Sequence, residues 1–123
     1  MIGNQSLRLP VVSIEDIPDP GSKGVSTEPL SPVASLLIVK HDSRVFVYRN
    51  RCPHLGTELE WLPDQFLDRD KQYIQCATHG ALFRINTGEC IAGPCVGERL
   101  QAVEYEFQEK CIMIKYHPVI ETL

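Results

Sequence analysis

Short runs of β-branched and aromatic residues recur along the chain and are separated by turn-forming residues. Two such runs, residues 35–40 and 44–48, flank His41, Asp42 and Ser43, which is a β-hairpin pattern. Helical periodicity is weak everywhere except in residues 57–62. The sequence therefore predicts an all-β fold of small, stacked antiparallel sheets. The remaining strands are predicted at residues 73–75, 81–85, 100–107 and 110–116.

Residues 17–32 form the only loosely composed stretch of the chain. They are rich in proline, glycine and serine, which cannot sustain a helix or a central strand. We expect this stretch to be a surface connection between an N-terminal strand and the body of the domain.

Length and composition limit the protein to one domain. A chain of 123 residues that is 43% hydrophobic is long enough for one core, so residues 1–123 are predicted to fold as a single unit. The net charge of −4 argues against nucleic acid as the main partner. The chain lacks a signal-peptide pattern and an apolar run of membrane-spanning length, so we expect a soluble cytoplasmic protein without a membrane partner.

Five cysteines are present, and they point to ligand binding more than to a disulfide framework, because the number is odd and export is not indicated. Two of them lie in short clusters that interrupt the β pattern. Residues 52–56 read Cys-Pro-His-Leu-Gly, and residues 76–80 read Cys-Ala-Thr-His-Gly. Each cluster pairs one thiolate with one imidazole, and its glycine allows a tight turn. The candidate ligands are Cys52, His54, Cys76 and His79.

Two Cys and two His can be interpreted in three ways. They can be ordinary core or surface residues, although two such pairs on glycine-containing turns seldom arise together. They can be a structural zinc site, since tetrahedral Cys₂His₂ is a common zinc environment; zinc, however, usually stabilises domains too small to build a core. They can also bind an iron–sulfur cluster.

The pattern Cys-x-His, a spacer, and Cys-x-x-His resembles the Rieske family, in which two His replace two Cys on one iron of a [2Fe-2S] cluster. The resemblance covers most of the chain. It includes residues 14–18 and 49–51 before the first cluster, residues 79–83 at and after the second, and the later Thr87-Gly88-Glu89 and Gly93-Pro94.

The resemblance implies a Rieske fold of three small antiparallel sheets with cluster-binding loops at about 52–56 and 76–80 and a proline loop at about 92–96. It implies that Cys52 and Cys76 bind the inner iron of a [2Fe-2S] cluster and that His54 and His79 bind the outer iron. Such a cluster carries one electron and leaves no iron position open for a substrate. The resemblance thus implies an electron carrier with no catalytic site of its own.

The departures from the respiratory branch of the family concern four positions. That branch has an additional Cys in each loop, and here the matching positions resemble Thr57 and Thr78. It also supplies hydroxyl donors to the cluster sulfurs, where this chain has Ala81 and Phe83. With fewer donors, the potential is expected near the low end of the Rieske range, about −150 mV.

The leading hypothesis is a soluble one-electron carrier, similar to Rieske-type ferredoxins, that passes electrons from a reductase to a terminal oxygenase or reductase. One alternative is the ferredoxin-like small subunit of a nitrite reductase. Another is a zinc-stapled interaction module that uses the same Cys₂His₂ set. A third is a cluster protein that serves in sensing or assembly.

The other conspicuous residues have structural explanations. Cys90 and Cys95 flank Gly93-Pro94, and we favour small packing residues over a redox pair or a disulfide. Cys111 is expected to be a strand residue, His41 and His117 to have no ligand role, and Trp61 to be a packing anchor. The acidic residues of the spacer are expected to form a solvated face: Glu58, Glu60, Asp64, Asp68 and Asp70.

Overall fold

A computed structural model of the chain describes residues 7–26, 35–53, 59, 64–77 and 80–116. These residues form strands and one 3₁₀ turn, Ile14–Asp16. The strands are β1 (Leu7–Ser13), β2 (Gly21–Ser26), β3 (Ser35–His41), β4 (Arg44–Arg49), β5 (Tyr73–Gln75), β6 (Leu82–Arg84), β7 (Cys90–Ala92), β8 (Tyr105–Gln108) and β9 (Cys111–Tyr116).

The strands pair into three antiparallel sheets of three strands each. Their orders are β1-β9-β8, β2-β3-β4 and β5-β6-β7. The predicted all-β class with small antiparallel sheets is therefore confirmed. The hairpin predicted around His41 is the β3–β4 pair, in which His41 lies opposite Arg44. The helical pattern noted for residues 57–62 lies outside the described residues, apart from Leu59.

The β2-β3-β4 sheet separates two cores because the side chains of β3 alternate between its faces. Leu36 and Ile38 pack with β9 residues in one core. Leu37 and Val39 pack in the other, against residues of the β5-β6-β7 sheet. All four are fully buried, which explains why this strand reads as a continuous apolar run.

The prediction that residues 17–32 form only a loop is wrong for Gly21–Ser26, which is strand β2. Strand β2 is at the edge of its sheet and pairs only with β3, a position that tolerates glycine and serine. Its outer side is covered by the chain around Asp64. The Asp64 carboxylate accepts from the Gly24 amide at 2.8 Å, and the Ser22 hydroxyl donates to the Asp64 carbonyl at 2.6 Å.

The strand predicted at 100–107 begins later than expected, at Tyr105. The preceding residues bond to different parts of the fold instead of one ladder. The Leu100 amide donates to the Gly88 carbonyl, and the Val103 amide donates to the Val47 carbonyl. The apolar alternation in this segment reports burial and does not specify a single partner strand.

No helix in the described ranges is long and apolar enough to cross a membrane.

Candidate metal centre

The loop that carries Cys52 begins where β4 ends at Arg49. Asn50 holds both ends of this loop. Its amide donates to the Ser35 carbonyl at 2.9 Å, its side-chain oxygen accepts from the Leu59 amide at 2.8 Å, and its Nδ2 donates to the Ser35 hydroxyl at 3.2 Å. Asn50 is only 5% exposed, so these bonds are protected from water. The segment from residue 50 to residue 59 is thereby closed at its base.

The second loop connects β5 to β6 and begins at Cys76. The Cys76 amide donates to the Ala81 carbonyl at 2.9 Å, and the Gly80 amide donates to the Cys76 carbonyl at 2.8 Å. Gly80 has φ +68°, a left-handed conformation that glycine adopts without strain. These bonds place Cys76 at the base of a closed turn.

Leu59 joins the two loops. The Leu59 amide is bound by Asn50, and the Leu59 carbonyl accepts from the Ala77 amide at 2.8 Å. Leu59 is fully buried in the core that also contains Cys52 and Cys76. The two cysteine loops are therefore fixed relative to each other through Leu59.

The side chains of Cys52 and Cys76 are 2% and 0% exposed, respectively. The predicted partners His54 and His79 lie outside the described residues, as do Thr57 and Thr78. Within the described ranges, no group of three or more His, Cys, Asp or Glu side chains forms a metal site. Two of the four predicted ligands can thus be placed, and both lie in the same core.

The proline loop packs directly onto the start of β6. Gly93 has φ +97°, and a Cβ built on it would lie 2.8 Å from the Ala81 Cα. Only glycine permits this approach. The loop is closed by the Glu98 amide, which donates to the Cys95 carbonyl at 2.9 Å. Val96, at the outside of the loop, is 62% exposed.

The sequence model of the Rieske [2Fe-2S] domain family matches residues 8–115. The chain belongs to this family. The match runs from β1 to β9 and includes both cysteine loops and the proline loop. The expected cofactor, a [2Fe-2S] cluster, is the one that this family binds. No curated protein matches the chain by sequence.

Several solved structures share the Rieske fold of this chain. The ferredoxin of Sphingomonas yanoikuyae B1 is 24% identical, with a TM-score of 0.70, over 89% of this chain and 99% of that one. The ferredoxin of carbazole 1,9a-dioxygenase from Nocardioides aromaticivorans IC177 is 18% identical, with a TM-score of 0.66, over 87% and 95%. The terminal oxygenase of carbazole 1,9a-dioxygenase from Novosphingobium sp. KA1 is 19% identical, with a TM-score of 0.71. That match covers 93% of this chain and 30% of the oxygenase chain.

The donor chemistry of this Rieske domain fits the cluster. Cys52 and Cys76 offer two sulfur atoms in an apolar core, one from each loop. A buried thiolate needs compensation of its charge, which iron supplies, and thiolates are the usual ligands of iron in iron–sulfur clusters. The Cys76 backbone is held by hydrogen bonds with Ala81 and Gly80 that do not use its sulfur atom.

Two further thiols lie in the core that contains Cys52, and the sequence did not reveal this. Cys90 and Cys95 are both buried there. The Cys95 Sγ lies 3.3 Å from the Cys90 Sγ, to which it donates. Burial, followed by the nearby Cys90 and Cys52 thiols, raises the pKa of Cys95 to about 12.

All five cysteines lie in described parts of the chain and carry free thiols. Cys90 and Cys95 are both buried, as expected for packing residues. Cys111 lies in β9 and is partly buried.

The acidic spacer differs from the solvated face that was predicted. Glu58 and Glu60 lie outside the described residues. Asp64 instead binds β2, and Asp68 caps the turn before β5, where its Oδ1 accepts from the Gln72 and Tyr73 amides at 2.9 and 3.0 Å. Carboxylates in turns accept backbone donors in this way, a use that charge counting alone does not reveal.

Proposed function

We propose that this Rieske domain is a one-electron carrier that accepts an electron from a reductase and passes it to a terminal oxygenase or reductase. The observation that carries the proposal is the pair of buried cysteines, one in each of two linked loops, in a chain that belongs to the Rieske family. The fold supports it, since proteins of similar fold include ferredoxins of dioxygenase systems.

We propose Cys52 and Cys76 as ligands of the inner iron, and His54 and His79 as ligands of the outer iron. A bound cluster would supply a centre that gains and loses a single electron. Two thiolates, two sulfides and two ferric ions sum to zero, so reduction creates one negative charge, whereas four thiolates would start from minus two. Histidine ligation therefore makes reduction easier.

The whole chain, residues 1–123, is proposed to act as one Rieske domain with cluster loops at 52–56 and 76–80 and a proline loop at 92–96. It would act without a substrate site of its own, as a component of a larger oxidoreductase system. The chain spans under a third of the oxygenase that shares its fold, so that oxygenase contains much more than this domain.

An oxygenase is the favoured acceptor because ferredoxin–oxygenase complexes contain the same fold. Val96 is exposed on the proline loop, and Gly93 of the same loop packs on Ala81, next to the second loop. An exposed apolar side chain at this position supports transient docking. Nucleic acid is not a proposed partner, because acidic residues outnumber basic ones by 16 to 12. We propose a cytoplasmic location and no membrane partner.

The proposal is tested by measuring iron, zinc and acid-labile sulfide in freshly purified protein, followed by an EPR spectrum after dithionite reduction. Two irons and two sulfides per chain, with a low average g value, are expected. One zinc per chain without sulfide would contradict the electron-transfer function and indicate a structural zinc site.

Single substitutions assign the cysteine ligands. Cys52→Ser and Cys76→Ser are expected to lose the cluster or greatly weaken it. Cys111→Ser is the matched control, because Cys111 lies in β9, in a different sheet from the cysteine loops, and should keep full iron and sulfide content. Normal loading of Cys52→Ser with an unchanged spectrum would remove Cys52 from the ligand set.

A further inference from the structure

A cleft opens between the β3–β4 hairpin and the β5–β6 pair, at the ends of these strands that are farther from the cysteine loops. It has a volume of about 340 Å³, and its lining includes Arg44 at the start of β4, Tyr73 at the start of β5 and Arg84 at the end of β6. Tyr73 is three residues before Cys76, which corresponds to about 10 Å of strand. Small-molecule sites have volumes of roughly 300 to 1,000 Å³, so the cleft is large enough for a ligand.

The two arginines of the cleft occupy matching places in their sheets. Arg44 lies opposite His41, and Arg84 lies opposite Tyr73, so each arginine shares a sheet face with a ring-bearing residue. The Arg44 guanidinium carbon also lies 5.3 Å from the centroid of the Phe46 ring, which lines the same cleft. A guanidinium held over a ring keeps the N–H donors at its edge available for a carboxylate or a phosphate.

The positive charge of the cleft is not neutralised from within. Among the described residues, Arg44 has no ion pair. The Arg84 Nε lies 3.9 Å from the Glu89 Oε1, with both side chains 53% exposed, a pair that contributes little. The acidic lining residue Asp42 is 88% exposed and lies 3.6 Å from the His41 Nδ1. In a chain of net charge −4, two guanidinium groups therefore face this cleft against one solvated carboxylate.

We propose that the cleft binds a small organic anion, in which a carboxylate or a phosphate group is attached to an apolar ring. Arg44 and Arg84 would bind the acidic group, since guanidinium donors match both kinds of oxygen pair. Phe46, Tyr73 and Ile85 line the rest of the cleft and would contact the ring. An inorganic anion alone, comparable to a few water molecules of about 30 Å³ each, would leave most of the volume to water.

The experiment is a nuclear magnetic resonance titration of the isotope-labelled, oxidised, cluster-loaded full chain at constant ionic strength. The probes are benzoate, phenyl phosphate, inorganic phosphate and benzamide. We expect benzoate or phenyl phosphate to cause saturable shifts at residues 41–46, 72–73 and 84–86, and the tighter of the two identifies the acidic group. Benzamide has the ring without the charge, and inorganic phosphate has the charge without the ring, so each should bind at least about tenfold more weakly.

Substitutions in the cleft separate recognition from general charge. Arg44→Gln and Arg84→Gln are each expected to weaken binding of the better probe about tenfold, because each removes charged donors to the acidic group. Arg49→Gln is the matched control. It removes the same charge from the same strand, at a residue outside the cleft that donates to Gln101, and should keep the wild-type affinity. All three arginines are at least partly exposed, so the variants should fold.

The inference is overturned if neither benzoate nor phenyl phosphate causes saturable shifts at the cleft. It is also overturned if benzamide binds as well as benzoate, or if Arg49→Gln weakens binding as much as Arg44→Gln, since the effect would then come from the ring alone or from net charge. The inference does not rest on the proposed function. Iron and sulfide content decides the electron-carrier role, and the titration decides the ligand of the cleft.

Discussion

Replacing Asn50 by alanine tests the connection that closes the Cys52 loop. The Asn50 side chain accepts from the Leu59 amide at 2.8 Å and donates to the Ser35 hydroxyl at 3.2 Å. Alanine would leave the buried Leu59 donor without this acceptor, which costs about 1 to 3 kcal/mol, and would remove a bond to Ser35 of about 0.5 to 1.5 kcal/mol. A loss of about 2 to 4 kcal/mol of unfolding free energy is expected.

Thermal unfolding followed by far-UV circular dichroism measures this loss, with the visible absorption of the cluster as a second probe. For a chain of this size, about 1 kcal/mol shifts the melting temperature by roughly 4 °C, so a decrease of roughly 8 to 16 °C is expected. The visible absorption should disappear at lower temperature too, because Leu59 also holds Ala77 in the second loop. Gln101→Ala is the matched control, since it removes an exposed bond to Arg49 and should cost no more than about 0.5 kcal/mol.

A third variant, Ser35→Ala, shows how much of the lost unfolding free energy comes from each of the two Asn50 side-chain bonds. It removes the acceptor of the weaker Asn50 bond and leaves the bond to Leu59 in place, so it should cost less than half as much as Asn50→Ala. Equal losses in the two variants would contradict the importance of the Leu59 bond. An Asn50→Ala melting temperature that matches the Gln101→Ala control would refute the reasoning as a whole.

Three other substitutions test separate parts of the structure. Tyr48→Phe removes the hydroxyl that donates to the Ile85 carbonyl at 2.7 Å and should cost about 0.5 to 1.5 kcal/mol at neutral pH. Burial, partly offset by Arg99, raises the pKa of Tyr48 to about 12. The unfolded tyrosine ionises near pH 10, so its contribution is complete below about pH 10 and is lost as pH rises through about 12. Between about pH 10 and pH 12, the melting temperature of Tyr48→Phe should therefore fall less than that of the wild type. An equal fall in the two proteins would contradict the stabilising role of the Tyr48 hydroxyl. Gly93→Ala should lower the free energy of unfolding by about 1 to 3 kcal/mol more than Gly97→Ala, with a lower melting temperature. Both glycines have φ near +100°, but only a Cβ at residue 93 would meet the backbone of Ala81. Ala81→Ser should raise the potential in a redox titration, and an unchanged potential would refute the reason given for expecting a low potential.

A strand could be predicted from the sequence where its pairing partner is the next segment along the chain. The β3–β4 hairpin follows from two apolar runs and a short turn, and the structure has it at Ser35–His41 and Arg44–Arg49. Strand β2 was not predicted, because an edge strand needs only one partner and can therefore contain glycine and serine. The late start of β8 was missed for a related reason, since apolar alternation does not reveal which segment receives the hydrogen bonds.

The candidate ligands could be proposed from the sequence because each cysteine has a histidine within a few residues of it. The residues that position the loops could not, because their contacts join distant parts of the chain. The Asn50 side chain accepts a hydrogen bond from the Leu59 amide, and the Leu59 carbonyl accepts one from the Ala77 amide. Cys95 reaches the core that contains Cys52 because the proline loop folds onto Ala81. A glycine before a proline in that loop was the one local sign of such a close approach.

The contacts of the described residues explain how the two cysteine loops of this Rieske domain are held in one core. The β3 strand divides the molecule into two cores, and only the core that faces the third sheet contains Cys52, Cys76, Cys90 and Cys95. The Asn50 side chain closes the first cysteine loop, backbone hydrogen bonds close the second, and Leu59 joins the two. We therefore expect the Cys52 and Cys76 sulfurs to be positioned before a cluster binds. A site fixed in this way leaves one main means of adjusting the potential, which is the set of donors that face the sulfurs. Ala81 and Phe83 offer no hydroxyl donor in this chain, so a hydroxyl introduced at either position is expected to raise the potential.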